Sequence, residues 1–286
     1  HGVPTPIPRT RSSLAPLLEA RGLRLTRRLG QCFLVDPALA DAIVADAGVD
    51  AADVVVEVGA GAGGLTQPLL AAARRVVAVE IDRGLAELLR EHLGDEPRLE
   101  LVHGDALDGV AGLHPSIVAA LEEPGPGRRL VVANLPYSCG TAVLARLLCR
   151  DRAPDVLVAM LQREVVDRLR ASPGTPDYGP LAILGALRAD VALLRRVPPD
   201  VFLPRPAVES AVFRVEPRPA DVPALRAALD LAARAFQQRR KRVAKALSGV
   251  LGAAALRAAG VDPDARPDAI DPGAWLRLAA LPREPG

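Results

Sequence analysis

The chain has 286 residues, half of them hydrophobic, with a formal net charge of +2 at pH 7. That length gives an ample core for one large domain or a large and a small one, and no segment approaches the roughly 20 uninterrupted apolar residues of a membrane span. Three cysteines without a Cys-x-x-Cys pair and four histidines without ligand spacing argue against a disulfide scaffold and a zinc site, so a cytoplasmic protein without a metal is expected. The opening HGVPTPIPRTRSS has no apolar h-region and does not read as a signal peptide. Residues 1–23 are expected to form an extension, disordered over 1–13, with a short helix over LAPLLEARGL (14–23). Alternation then begins: strand DVVVEVGA (53–60), a glycine-rich turn and helix GGLTQPLLAAA; strand RVVAVEID (75–82) and helix RGLAELLREHL; strand LELVHGDA (99–106). A loose stretch ends in the linker EEPGPG. Strand RLVVAN (129–134), helix GTAVLARLLC, strand DVLVAML (155–161), helix QREVVDRLRA, loop SPGTPDYGP and helix LAILGALRA follow. Two β-like runs, DVALLRRV and SAVFRVEP, flank VPPDVFLPRPAVE, and from about residue 218 the pattern is helical, with one helix over 222–249. This order implies an α/β protein: a Rossmann-like doubly wound parallel sheet with antiparallel strands at its end (24–217), then a small all-α domain (218–286).

The small net charge hides a pattern. Residues 1–30 carry six arginines against one glutamate, and residues 217–286 carry twelve basic against seven acidic residues, so each end is +5 and the middle is −8. Basic ends around an acidic body suggest a polyanion held by the flanks beside a site that prefers a cation. All but two of the 36 basic residues are arginine, as a high-GC genome alone would produce. Both lysines nevertheless fall in the run RAFQQRRKRVAKAL, and no acid interrupts the chain between Asp230 and Asp262. Arg239, Arg240, Lys241, Arg242 and Lys245 are therefore expected to form a nucleic-acid face on one helix, with Phe236, Val243 and Leu247 buried behind it. The alternative RNA surface is the segment around Arg24, Arg27 and Arg28.

EVGAGAGG carries the next signal. Gly59, Gly61 and Gly64 satisfy G-x-G-x-x-G between a strand and a helix, and Glu80 follows about twenty residues on, at the end of the next strand. That fingerprint fits a nicotinamide dinucleotide or S-adenosyl-L-methionine, since both carry an adenosine whose ribose needs a carboxylate. Glu57, two residues before the first glycine, suits a ligand with an ammonium and a sulfonium better than a pyrophosphate, which wants a bare helix N-terminus. Asp105 in VHGDAL offers an acceptor for the adenine amine; alone it would read as a turn residue or helix cap. The apolar run VVAN ends on Asn134, Leu135, Pro136 and Tyr137. Pro136 cannot continue a central strand, so the chain leaves the sheet there, where open α/β sheets bind ligands.

Asn134-Leu135-Pro136-Tyr137 with this glycine loop resembles the [Asp/Asn]-Pro-Pro-Tyr signature of amino-directed methyltransferases. RRLGQCFLVDP (27–37), VPPDVFLPRPAVESAVFRV (197–215) and FQQRRKRVAKAL (236–247) are similar to three further segments of the ribosomal RNA adenine N6-dimethyltransferase family, as are MLQREVVDRL (160–169) and DYGPL (177–181). With its motifs in order from about residue 24 onward, the chain resembles the small-subunit, KsgA-type branch. The macrolide-resistance branch, which acts on large-subunit rRNA, usually shows Asn-Ile-Pro-Phe or -Tyr at 134–137 and lacks the Arg-Arg-Lys helix. The resemblance implies dimethylation of adenosines in small-subunit rRNA or a pre-30S particle, in ribosome biogenesis, by a monomer. It implies that Asn134 and the Leu135 carbonyl accept the amine protons, that Pro136 stiffens the turn, and that Tyr137 and Phe202 stack on the base. Cys32, Leu34, Glu57, Gly59, Gly61, Glu80, Asp105 and Asn134 are the expected contacts to S-adenosyl-L-methionine. Cys32 stands where this branch usually has Asn, so its backbone is the expected contact. A nicotinamide oxidoreductase would share the glycine loop, but no hydride-transfer set accompanies it. A non-catalytic RNA-binding assembly factor would have no reason to keep Glu80, Asp105 and Asn134 together.

Overall fold

Val54–Val58 is a strand in which every residue is buried, four of the five being valine. Such β-branched runs fit a strand covered on both faces. The computed structural model describes residues 7–23, 31–110 and 112–282. In chain order its elements are α1 (Arg11–Ala20), β1 (Phe33–Leu34), α2 (Pro37–Ala47), β2 (Val54–Val58), α3 (Thr66–Ala72), β3 (Arg75–Glu80), α4 (Arg83–Leu93), β4 (Leu99–His103), β5 (Leu107–Asp108), β6 (Gly112–Leu113), α5 (Pro115–Glu122), β7 (Arg129–Asn134), α6 (Gly140–Leu148) and β8 (Val156–Gln162). They continue with α7 (Arg163–Leu169), α8 (Pro180–Arg188), β9 (Ala189–Val197), β10 (Phe202–Leu203), β11 (Ser210–Pro217), α9 (Val222–Phe236), α10 (Val243–Ala246), α11 (Ala253–Ala258) and α12 (Pro272–Ala279).

Seven strands form one sheet in the order β4-β3-β2-β7-β8-β11-β9. The pairs β2–β3, β3–β4, β2–β7 and β7–β8 are parallel, and β11 runs antiparallel to β8. The expected doubly wound sheet with antiparallel addition is therefore present. From β2 the chain winds outward through β3 and β4, then returns to β7 on the other side of β2. The turns after β2 and β7 consequently leave neighbouring strand ends in divergent directions, which opens a crevice between them.

Short side chains fix the helix starts around that crevice. Asp36 caps α2 by accepting from the Leu39 N–H at 3.0 Å, with Pro37 in the first turn, and Gly48 ends the helix in the left-handed region at φ 62°. Asp82 caps α4 in the same way through the Leu85 N–H. Neither α2 nor α5 was expected from sequence, although PALADAIVADAG carries both boundary signals. The stretch after β4 is less loose than expected, since it forms the β5–β6 hairpin and then α5, which buries Ile117, Ala120 and Leu121.

The leading segment also differs from expectation. Residues 1–6 lie outside the described residues, but Ile7 is in the hydrophobic core and α1 begins at Arg11, burying Leu14 and Leu18. Order starts early because apolar Ile7, Leu14 and Leu18 all reach the core. Arg24, Arg27 and Arg28 lie outside the described residues.

The chain divides into two compact units. The first takes the chain up to Leu147 with Arg152–Arg163 and Ala192–Glu216; the second takes Leu148–Asp151, Glu164–Val191 and the chain from Pro217. One of these crossings lies between Glu216 and Pro217. Helix α8 groups with the C-terminal helices because Ala182 and Ile183 share a buried cluster with Leu231, Val243, Leu256 and Trp275. In that cluster the Tyr178 hydroxyl donates to the Ile270 carbonyl at 2.7 Å, and the Tyr178 and Phe236 rings meet edge-on at 6.1 Å.

The single helix expected over 222–249 is interrupted. Helix α9 stops at Phe236, turns follow, and Arg242 is extended (φ −60°, ψ 146°) as the residue preceding α10. The Val243 and Ala244 N–H groups donate instead to the Ala265 and Pro263 carbonyls, at 2.7 and 3.2 Å. Those bonds satisfy donors that a continuous helix would satisfy internally. Arg239, Arg240, Lys241, Arg242 and Lys245 therefore do not share one helix.

Candidate active site

A cavity occupies the crevice at the strand ends, walled by the turns after β2 and β7, the ends of β3 and β4, and β1. The turn after β2 bends back sharply, with Gly59 and Gly61 in the left-handed region at φ 75° and 57°. A Cβ at Gly59 would lie 3.0 Å from Pro136 Cγ, and one at Gly61 would lie 2.9 Å from Phe33 Cδ1. Gly59 therefore permits the close approach of the Asn134–Tyr137 turn and Gly61 that of Phe33 in β1, in a conformation that side chains rarely adopt. Gly64 likewise faces the Leu34 carbonyl, and a Cβ there would stand 3.1 Å from that oxygen.

Three acids line the cavity. Glu80 is buried, and its two oxygens accept separately from the Gly61 N–H at 2.7 Å and the Asp82 N–H at 2.8 Å. Burial raises its pKa, opposed by those two hydrogen bonds. Asp105 is exposed at the rim, with Oδ1 accepting from the Leu107 N–H at 2.9 Å. It is thus a turn residue as well as a wall of the cavity. Glu57 sits beneath the glycine turn, 1% exposed, and accepts the Thr66 hydroxyl at 2.6 Å. Burial pushes its pKa up to about 8, the Thr66 bond opposes that rise, and the charge of Glu80 adds to it. Ile81, 46% exposed, lies beside Glu80 and Asp105 in the wall and gives the cavity an apolar flank.

The Asn134 amide is held by donation from Nδ2 to the Cys32 carbonyl at 2.8 Å. That bond fixes which way the amide points and leaves Oδ1 as an acceptor. The Cys32 carbonyl thus orients the Asn134 amide. The Leu135 N–H donates to the Met160 carbonyl at 3.1 Å, while the Leu135 carbonyl accepts nothing among the described residues. The Tyr137 hydroxyl bonds Ser210 Oγ, and Ser210 is fully buried at the start of β11. Burial raises the Tyr137 pKa, so the phenol stays protonated.

Cys32, Leu34, Glu57, Gly59, Gly61, Glu80, Asp105, Asn134, Leu135, Pro136 and Tyr137 all line this cavity, and Phe202 does not. Phe202 is fully buried in the core and pairs with Leu34 between β10 and β1. The expected stacking role is corrected on that ground, because a ring with no exposed face cannot cover a base. Thr66, Ile81 and Ser210 went unread as site residues. Ser210 lies inside a motif the sequence displays, but only the fold brings its hydroxyl to Tyr137, 73 residues away.

The basic segment lies in the second unit. Arg239 pairs with Asp268 and donates to the Thr175 carbonyl, and Arg242 pairs with Asp264 at 2.8 Å. Arg240, Lys241 and Lys245 are exposed and form no ion pair among the described residues. Val243 and Leu247 are fully buried.

The family model described as Ribosomal RNA adenine dimethylase matches residues 22–282. A protein of Phenylobacterium zucineum (strain HLK1) named Ribosomal RNA small subunit methyltransferase A is 41% identical over 272 residues, which are 94% of this chain and 92% of that relative. A protein of the same name from Nocardia farcinica (strain IFM 10152) is 40% identical over 279 residues, 92% of each chain. Among solved structures, a dimethyladenosine transferase from Plasmodium falciparum superposes with a TM-score of 0.66 at 21% identity, over 85% of this chain and 94% of its own. At that identity the likeness concerns the fold. The 23S rRNA methyltransferase ErmE superposes with a TM-score of 0.57 at 26% identity, over 85% of this chain and 96% of its own.

Proposed function

The chain belongs to the ribosomal RNA adenine dimethylase family, and from that premise we propose that it transfers methyl groups from S-adenosyl-L-methionine to N6 of adenosines in small-subunit ribosomal RNA, two per base. The observation that carries this reading is the meeting of the Asn134–Tyr137 turn with Glu80 and Asp105 in one cavity.

The residues present suit the methyl donor. Each Glu80 oxygen uses one acceptor position on a backbone N–H and keeps another for a ribose hydroxyl. Asp105 Oδ2 is left for the adenine amine, and Ile81 for the face of the base. Gly59 and Gly61 leave room where side chains would collide. When bound, S-adenosyl-L-methionine supplies a methyl group already activated on a sulfonium.

The protein's own task is to present the amine. Its lone pair is delocalised into the adenine ring, which makes it a poor nucleophile. Asn134 Oδ1 and the Leu135 carbonyl accept hydrogen bonds from its N–H groups, draw the nitrogen toward tetrahedral geometry and stabilise the positive charge that would develop as the methyl passes from sulfur to nitrogen, the thioether departing and one N–H proton being lost to water. Pro136 brings no competing N–H and stiffens the turn. Tyr137, anchored through Ser210, offers one ring face to an extruded base. Arg240, Lys241 and Lys245 contact RNA phosphates, which give affinity without reading sequence.

Relatives named for the small subunit share 40–41% identity with this chain and ErmE shares 26%, which favours small-subunit rRNA over 23S rRNA. The test is transfer of labelled methyl to each unmodified ribosomal RNA or its assembling particle, with mass mapping of methyladenosines. Dimethyladenosine in small-subunit RNA is expected; label confined to 23S rRNA would overturn the assignment.

A further inference from the structure

The cavity presents three acids, Glu57, Glu80 and Asp105, and among the described residues one cationic side chain, Arg9. We propose that Arg9 binds the carboxylate of the amino-acid tail of S-adenosyl-L-methionine; this rests on the cofactor reading above. The charges of that ligand are of two kinds. Its sulfonium and ammonium seek acids, and its carboxylate seeks a cation.

Place supports the assignment as well as charge. Glu80 and Asp105 follow β3 and β4, on one side of the central strand β2. Arg9 is tied to the other side: Nη2 donates to the Pro37 carbonyl at 3.1 Å and to Asp41 Oδ1 at 2.7 Å, both on α2, which packs on β7 and β8. Two residues earlier, the Ile7 carbonyl accepts from Gln67 Nε2 on α3 at 3.0 Å. The segment 7–9 is thereby strapped over the α2–α3 side of the cavity, next to Leu34 and the glycine turn. If the ribose and base occupy the Glu80–Asp105 side, the tail of the same ligand extends toward Arg9.

The guanidinium also has donors to spare. Only Nη2 bonds to protein; Nε and Nη1 donate to nothing among the described residues, and Nε is out of contact with solvent. A buried donor without an acceptor is costly, and an anion brought to that side chain would relieve it. The pair with Asp41 does not neutralise Arg9 in the sense of a buried pair, because Asp41 is 59% exposed and screened by water.

Calorimetric binding by the full chain and its Arg9→Gln and Arg9→Lys variants decides the matter, with two ligands compared. S-adenosyl-L-methionine has the tail; 5′-deoxy-5′-methylthioadenosine keeps the adenosine and sulfur but lacks it. Arg9→Gln should weaken the first by about 10–100-fold, as loss of a charge-assisted hydrogen bond does, and the second by no more than about twofold. Arg9→Lys should fall between wild type and Arg9→Gln for the first ligand. Unchanged affinity for S-adenosyl-L-methionine overturns the assignment. An equal loss for both ligands also overturns it, since that marks Arg9 as a strap for the fold and not a ligand contact. Wild-type protein that binds the thioadenosine but shows no preference for the tailed ligand removes it too, while wild-type protein that binds neither ligand refutes the cofactor reading beneath it.

Discussion

Replacing Glu57 with glutamine should change how stability depends on pH. The Glu57 carboxyl is 1% exposed, its hydrogen-bond partner is the neutral Thr66 hydroxyl, and burial holds its pKa up at about 8. In the unfolded chain a glutamate titrates near its ordinary value of about 4.3. Between these values the folded protein holds a proton that the unfolded chain has released. Stability is therefore undiminished by this group below pH 4 and falls as pH rises toward 8, by at most about 1.4 kcal/mol per pH unit. Glutamine fills the same volume, can accept from Thr66 and does not titrate. Relaxation of the site lowers the ceiling, so at pH 8 Glu57→Gln should exceed wild type by on the order of 2–4 kcal/mol, with the gap narrowing to about 1 kcal/mol or less at pH 5. Glu80 faces the same cavity, and burial raises its pKa also, so the wild-type curve contains both groups. The difference between the two proteins reports Glu57 together with its coupling to Glu80, whose charge adds to the rise. Chemical denaturation of the ligand-free proteins at pH 5, 6, 7 and 8 measures it. Parallel curves, or a glutamine variant less stable at pH 8, would refute the claim that Glu57 is held neutral by burial.

Asn134→Ala removes the oriented acceptor, and methyl transfer in single turnover should drop by ~10²-fold or more while S-adenosyl-L-methionine affinity stays within a few-fold of wild type. A matched loss in both would make Asn134 a cofactor or structural residue. Lys241→Ala with Lys245→Ala should weaken rRNA binding and reduce the slope of log affinity against log salt by ~1–2, leaving cofactor affinity alone. An unaltered slope in a folded protein would leave this segment as a solvated surface without a partner.

Much of this fold could be read from local pattern. VVVEV and RLVVAN are strands because branched side chains suit burial on both faces, and Asp36, Asp82 and Gly48 mark helix ends by chemistry that acts within three residues. The cavity was legible for the same reason, since the glycine turn, Glu80 and the Asn134–Tyr137 turn each announce themselves in a few consecutive residues. Apart from α2 and α5, what escaped depends on partners far away in sequence. Phe202 looks like an aromatic ring free to stack until β10 pairs with β1 and sets it opposite Leu34 in the core. The run from 222 to 249 has helical periodicity throughout, yet carbonyls at Pro263 and Ala265 take N–H groups that the helix needed.

The same distinction decides which charges in the basic segment are available to RNA. Sequence shows five cations within seven residues and cannot rank them. In the fold Arg239 is occupied by Asp268 and the Thr175 carbonyl, so its replacement would loosen the second unit and confound any binding measurement. Arg242 shares its charge with Asp264 in an exposed pair of about 0–1 kcal/mol, too weak to withhold it from a phosphate but enough to blur its effect. Arg240, Lys241 and Lys245 carry neither complication. Counterion release depends on the number of phosphates neutralised, so the two lysines, free of competing acids, should account for one unit of salt slope each, whereas Arg242→Ala should account for less. A slope change for Arg242→Ala equal to that of Lys241→Ala would show that the pair with Asp264 does not compete with RNA.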